Sequence, residues 1–196
     1  MLNKPRRTLG QRVNRVPAKL LAKTGIAPNV ITTIGLALSI VVAWVLATGH
    51  FFLGGFLVLF SGAFDMLDGA VARLTGKTSR FGGVLDSTFD RLSEGALLIG
   101  LLAYYADRGA QQEIVLIGAA LLGSLMTSYV RARAEGAGLT CDVGVFTRPE
   151  RVILLAIGLI ADQMLVILWI LAVLSNLIAL QRLLHVRQQA SKGGAD

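Results

Sequence analysis

FDMLDGAVARLTGKTSRFGGVLDSTFD, residues 64–90, sets four aspartates into an otherwise apolar chain. No acidic residue precedes it in the first 64 positions, and then Asp65, Asp68, Asp86 and Asp90 arrive within 26 residues, each bordered by apolar sequence. Spacings of three and four residues put Asp65 with Asp68, and Asp86 with Asp90, on single helix faces. The polar stretch 75–79 between the pairs reverses the chain, so the pairs meet at similar depth if their helices run antiparallel.

The surroundings are those of a membrane protein. The chain of 196 residues is 54% hydrophobic and 16% charged, with a mean hydropathy of +0.66. Residues 30–49, 51–64, 95–106, 114–130, 152–161 and 164–180 carry no charge. About 20 mostly apolar residues suffice to cross a bilayer as a helix. The first run starts too late, behind too long a basic segment, to look like a cleaved signal peptide. The one cysteine, Cys141, excludes an internal disulfide.

The expected architecture is an all-α integral membrane protein with six transmembrane helices and an N-terminal amphipathic interfacial helix. The helices fall at about 29–48, 51–74, 81–106, 112–135, 149–162 and 164–187, the fifth being short for a span. Short links favour antiparallel neighbours. Residues 1–26 form the basic interfacial segment, 27–188 the membrane domain and 189–196 a flexible tail. In the basic segment Leu9, Val13, Val16 and Leu20 recur at helical spacing among Arg6, Arg12, Arg15 and Lys19. Pro17 argues for a kink there, or for a disordered basic arm.

Charge placement sets orientation. Seven cations lie between Lys4 and Lys23, and nearly all the rest gather after the second, fourth and sixth runs, Arg108 after the third being the exception. Six spans with both termini inside satisfy the positive-inside rule. The net charge of +7 then reads as topology and attraction to anionic lipid, with no nucleic-acid partner. Asp65 lies eight residues before Arg73, about 12 Å along a helix, which sets it below the cytoplasmic boundary.

Four carboxylates so close need compensation, by protonation or by a divalent cation. Oxygen donors with no nearby Cys or His suit Mg²⁺ or Mn²⁺, and Mg²⁺ is commonly shared between carboxylates and substrate phosphates. Arg73, Lys77, Gly76, Thr78 and Ser79 stand where a phosphate can be received. Gly69, Gly82 and Gly83 suit either close approach of a ligand or ordinary small-residue helix packing. Intramembrane aspartates on this scale are costly, which points to function.

Written out, the stretch is D-x2-D-G-x2-A-R-x8-G-x3-D-x3-D, with fixed places at Asp65, Asp68, Gly69, Ala72, Arg73, Gly82, Asp86 and Asp90. This resembles the signature of the CDP-alcohol phosphotransferase (phosphatidyltransferase) family at every fixed position. APNVIT, residues 27–32, is similar to the family's entry into its first membrane helix. The resemblance implies metal held by Asp65, Asp68, Asp86 and Asp90, with Asp90 the catalytic base for the attacking hydroxyl. It implies a CDP-lipid site of Asn29, Thr32, Asp68, Gly69, Ala72, Arg73, Thr78 and Ser79. It also implies a homodimer in the plasma membrane, with the active site facing the cytoplasm.

A second cluster, SYVRARAEGAGLTCDVGVFTRPER at 128–151, resembles the branch of that family whose acceptor is inositol phosphate. Arg131 stands where some members carry lysine; the charge is kept and the geometry is not. Arg131, Arg148 and Arg151, joined by Arg182, are then expected to bind the acceptor's phosphate monoester, which rewards forked, charged donors. Pro149 can start a helix, which sets Arg148 and Arg151 near a helix N-terminus, itself an anion site. Arg133 and Arg187 are read as membrane anchors, and Glu94 as a structural partner for Arg91 or Arg73.

The implied reaction transfers a phosphatidyl group from CDP-diacylglycerol to inositol phosphate, giving phosphatidylinositol phosphate and CMP. The alternatives are glycerol phosphate or free inositol as acceptor, and an archaeal-type CDP-lipid as donor. From other classes, a cation transporter could use the aspartates as its pathway, and intramembrane prenyltransferases also use Asp-rich motifs. The Gly69–Ala72–Arg73 pattern argues against the transporter.

Overall fold

The computed structural model describes residue 17, residues 20–22 and residues 25–193. Residues 25–193 form six helices: α1 Pro28–Ala47, α2 Phe51–Thr75, α3 Arg80–Asp107, α4 Gln111–Gly136, α5 Arg148–Ile160 and α6 Met164–Gly193. Pro28 starts α1, where its missing N–H costs nothing. Gly76 ends α2 in the left-handed conformation at φ 67°, and its N–H caps the Ala72 carbonyl. Three residues later Ser79 opens α3, its Oγ accepting from Gly82 N at 2.9 Å. The expected interfacial helix falls almost wholly outside the described residues.

Each helix has two principal neighbours, and the contacts close a ring in the order α1, α2, α5, α6, α4, α3 and back to α1. This corrects one expectation. The helices bearing the aspartates, α2 and α3, are consecutive but are not close neighbours; α1 packs against both. The carboxylate pairs therefore face one another across the α1 surface.

Small residues make the ring close. Gly100 of α3 lies against the Ala43 carbonyl of α1, with no room for a Cβ, and Gly123 of α4 lies against Asn176 and Ser175 of α6. Asn176 Nδ2 donates to Ala119 O at 2.9 Å, and Ser39 and Ser61 share a buried hydrogen bond of 2.8 Å between α1 and α2. Such close approach through small and hydrogen-bonding residues is how helices associate where lipid removes the hydrophobic drive.

The apolar core fills one end of the ring. Leu46, Val58, Leu101, Ile117, Leu159 and Leu168 meet there, from the C-terminal halves of α1, α3 and α5 and the N-terminal halves of α2, α4 and α6. Trp44, Phe52, Phe56, Phe60, Val115 and Trp169 point outward instead. The opposite end holds the aspartates and most of the cations.

Four helices, α1, α2, α4 and α6, are long and apolar enough to cross a membrane. The expected six are thus not all met by length and composition. α3 is long at 28 residues but carries Asp86, Asp90, Arg91 and Glu94, and α5 has 13 residues, about 20 Å against an apolar layer of about 30 Å. Of the expected tail at 189–196, residues 189–193 are helical and residues 194–196 lie outside the described residues. α6 runs on to Gly193, and the Gln189 side chain accepts from Thr140 N at 3.2 Å and donates to Thr140 O at 2.9 Å. That pairing ties the end of α6 to the loop after α4.

Gly100→Ala should lower stability by about 1–3 kcal/mol through overpacking against Ala43. Gly118→Ala, where a Cβ meets nothing within 4 Å, should be neutral or gain up to about 1 kcal/mol. Thermal unfolding of the detergent-purified protein distinguishes the two.

Candidate active site

The four aspartates converge. Asp65 and Asp68 from α2, and Asp86 and Asp90 from α3, line one narrow cleft with Thr32 of α1, Phe89 and Ser93. Asp68 is buried; its Oδ2 accepts from Thr32 Oγ1 at 2.6 Å and its Oδ1 from the Gly69 N–H. Asp65 reaches the cleft because α1 presents Gly35 beneath it, where a Cβ would collide with Asp65 Oδ1.

A second cavity of about 230 Å³ opens beside the cleft, and Asp68 and Asp86 face both. Asn29, Thr32, Asp68, Gly69, Ala72, Arg73, Thr78 and Ser79 all line it, joined by Pro28, Lys77, Gly82 and Gly83. The cavity thus draws on the start of α1, the end of α2, the α2–α3 link and the start of α3. At Gly69 an added Cβ would lie 3.4 Å from the Arg73 guanidinium, in van der Waals contact with the cation.

On the other side Asp90 faces a wide groove of about 980 Å³ between α3 and α4, lined also by Arg91, Ser128, Tyr129 and Arg131. Arg131 is exposed there, pairing with Glu135 at 2.8 Å and lying 3.6 Å from Asp142. One cleft of carboxylates therefore separates a small polar cavity from a broad groove.

The arginines expected to act together are divided by the fold. Arg148, the first residue of α5, bridges the aspartates: NH1 donates to Asp90 Oδ1 and NH2 to Asp65 Oδ2, each at 2.5 Å. Arg151, one turn on, is 5% exposed and forms a forked pair with Glu94, Nε to Oε1 at 2.6 Å and NH2 to Oε2 at 2.7 Å. Its NH2 also donates to Ser124 Oγ at 3.1 Å. Arg151 thus ties α3, α4 and α5 together, and its donors are taken up inside the bundle. Glu94 pairs with Arg151, not with Arg91 or Arg73. Arg182 is buried and donates to Val143 O at 3.0 Å and Thr127 O at 2.6 Å, pinning the α4–α5 loop onto α6.

Sequence reasoning missed Gly35 as a support of the site, and it read Glu94 as structural but with the wrong partners. Gly35 gives no local signal, since the need for a bare backbone arises only when α2 packs on α1. Glu94 had a signal, because it continues the Asp86–Asp90 face by four residues, but its partner on α5 is not encoded in that spacing.

The donor set suits a hard divalent cation: four carboxylates on two helices, lining one cleft, with no sulfur or imidazole among them. Among the described residues no three acidic, Cys or His side chains are gathered tightly enough to hold an ion, and Arg148 stands between Asp65 and Asp90.

Carboxylate cleft, polar cavity and charged groove on a six-helix ring define a class: the chain belongs to the CDP-alcohol phosphatidyltransferase family, whose model matches residues 25–186. Within that family it is 39% identical to the phosphatidylinositol phosphate synthase of Mycobacteroides abscessus, over 97% of this chain and 90% of that one. It is 36% identical to the archaetidylinositol phosphate synthase of Pyrococcus horikoshii, over 98% of this chain and all of that one. The crystal structure of Mycobacterium tuberculosis phosphatidylinositol phosphate synthase with CDP-DAG bound superposes with a TM-score of 0.82 at 37% identity, covering 89% of this chain and 94% of that one. The same enzyme in complex with manganese and citrate matches with a TM-score of 0.80 at 37% identity, over 88% of each chain.

Arg151→Ala should cost about 3–5 kcal/mol, because it leaves Glu94 charged and buried without a partner. Arg131→Ala, which breaks exposed pairs, should cost no more than about 1 kcal/mol. Denaturation of the two variants in the same detergent checks the contrast.

Proposed function

We propose that this chain transfers a phosphatidyl group from CDP-diacylglycerol to inositol phosphate, releasing CMP and phosphatidylinositol phosphate. The observation that carries the reading is the adjacency of the polar cavity, the carboxylate cleft and the groove, which share Asp68, Asp86 and Asp90 as lining residues. Relatives at 36–39% identity that share an inositol phosphate product support the acceptor.

The CDP-lipid enters the cavity with its diphosphate toward Asp68 and Asp86. Asn29, Thr32, Gly69, Ala72, Arg73, Thr78 and Ser79 surround the nucleotide, with Arg73 offering charge to the phosphates. Asp65, Asp68, Asp86 and Asp90 would hold divalent metal, Mg²⁺ by the hardness of the donors and Mn²⁺ as a substitute. When bound, that metal supplies positive charge against the charge developing on the phosphoryl and leaving oxygens. Asp90, on the boundary between cleft and groove, takes the proton of the acceptor hydroxyl as that oxygen bonds to the lipid-side phosphorus. The bond from that phosphorus to the bridging oxygen breaks, and CMP leaves with the electron pair.

On the groove side Arg131 and Arg148 receive the acceptor's phosphate. Arg151 and Arg182 contribute by shaping that side: Arg151 fixes the start of α5, and Arg182 fixes the loop before it. The ring crosses the membrane six times, with the basic end in the cytoplasm by the positive-inside rule. The short α5 suffices because it starts at the depth of Asp65 and Asp90, below the boundary. Residues 27–188 form the catalytic domain and residues 1–26 a basic interfacial segment. The chain acts in the plasma membrane as a homodimer, as its family resemblance implies.

An archaeal-type CDP-lipid donor is a second reading, favoured by the full-length match to the archaeal relative. Purified protein with Mg²⁺, either CDP-lipid, and inositol phosphate, glycerol phosphate or free inositol, scored by CMP release, tests donor and acceptor together. Turnover with inositol phosphate and CDP-diacylglycerol is expected; turnover only with another acceptor overturns the reading. Asp90→Asn should reduce the rate by about 100-fold or more while CDP-lipid still binds. Arg131→Ala should raise KM for inositol phosphate about tenfold, the worth of a charged hydrogen bond, with kcat little changed.

A further inference from the structure

We propose that Arg148 competes with metal for Asp65 and Asp90, and that the acceptor's phosphate draws it away, so that metal and acceptor bind cooperatively. The inference deepens the function proposed above and rests on it for the identity of the acceptor. Its basis is the bridge itself. One guanidinium spans two carboxylates from α2 and α3, helices that hardly touch one another, with both contacts at 2.5 Å. It occupies Asp65 Oδ2 and Asp90 Oδ1, one oxygen from each of two of the four carboxylates proposed to hold metal. A guanidinium on those oxygens opposes a divalent cation in the same cleft, because the two charges repel at short range.

Two further observations point to a side chain held in one of two places. Arg148 Nε is buried without a hydrogen-bond partner, so the bridge leaves a donor unmet that a second position can satisfy. The backbone beneath it is fixed. Thr147 N donates to Glu150 at 2.9 Å, and one turn later the buried Glu94–Arg151 pair locks α5 to α3. Only the Arg148 side chain is left to move. Asp90 lines both cleft and groove, so a guanidinium that lets go of Asp65 and keeps Asp90 stays beside the residue that opens onto the groove, the side proposed for acceptor phosphate. A phosphate that captures Arg148 there frees two carboxylate oxygens for metal, and by linkage metal favours phosphate by the same factor.

The competing account makes Arg148 a static clamp that orients Asp65 and Asp90 around a bound ion. The two accounts differ in sign. Loss of an outer support weakens metal binding by about 10–100-fold. Loss of a competitor strengthens it.

The test is Mn²⁺ binding to the full-length protein in detergent, without CDP-lipid, read from the free-ion EPR signal. Arg148→Gln should bind Mn²⁺ about 5- to 150-fold more tightly than the unmodified protein, the usual span of a coupling between sites. Inositol phosphate should tighten Mn²⁺ binding in the unmodified protein and do so much less in the variant. Equal or weaker Mn²⁺ affinity in Arg148→Gln overturns the proposal. If that variant does not fold, the unmodified protein suffices: inositol phosphate affinity measured calorimetrically must rise with Mn²⁺, and independence of the two overturns the proposal. The acceptor-free arm does not depend on which alcohol is used, so a wrong acceptor would show in CMP release and leave the Mn²⁺ comparison standing.

Discussion

Four carboxylates gathered at one end of an apolar ring are the constraint on which the rest of this structure depends. Anions in low dielectric raise one another's cost, and the cost falls only when cations or donors are brought to them. Every helix around the site answers that demand differently. α1 supplies Thr32 as a donor to Asp68 and the bare backbone of Gly35 under Asp65. α5 supplies Arg148 between Asp65 and Asp90. The separation of α2 from α3 follows from the same demand, since direct packing would press two pairs of like charges together.

Charge compensation also explains why α5 is short. Arg148 must meet Asp65 and Asp90, so the helix begins beside them, part-way along the bundle. The preceding loop then has to descend into the protein, and its polar groups need partners. Arg182 takes the Val143 carbonyl, Gln189 takes both backbone groups of Thr140, and Cys141 is buried between them. The extension of α6 beyond residue 188 is part of this fastening. A segment that reads as a tail by composition is thus held as helix by the loop it supports.

Much of this was legible in the sequence because charge is scarce in it. Uncharged runs marked the helices closely, since in an apolar chain the few polar residues must fall at ends or at a site. The carboxylate spacing and the polar link located cleft and cavity, and all eight residues expected around the CDP moiety line one cavity. What stayed hidden concerns contacts between helices distant in sequence. Arg148 and Arg151 are indistinguishable by composition and three residues apart, yet one faces carboxylates in the cleft and the other a buried glutamate. The helical turn between them rotates one toward α2 and the other toward α4, and only the ring order decides which partner each meets.

That division gives the RPER segment, residues 148–151, two jobs that must not be exchanged. Arg151 meets Glu94 as a complete forked pair, with Ser124 taking a further donor, and such a pair resists rearrangement because breaking it leaves a charge buried. Arg148 meets two different carboxylates end-on, one oxygen each, with its Nε unmet. The first arrangement is closed and the second is open to replacement. A rigid anchor one turn from an exchangeable cation is what allows a side chain to change partners without moving its helix. Reversing the roles would leave the start of α5 unanchored and hold a fixed guanidinium on Asp65 and Asp90, where its charge would stand against an ion in the cleft.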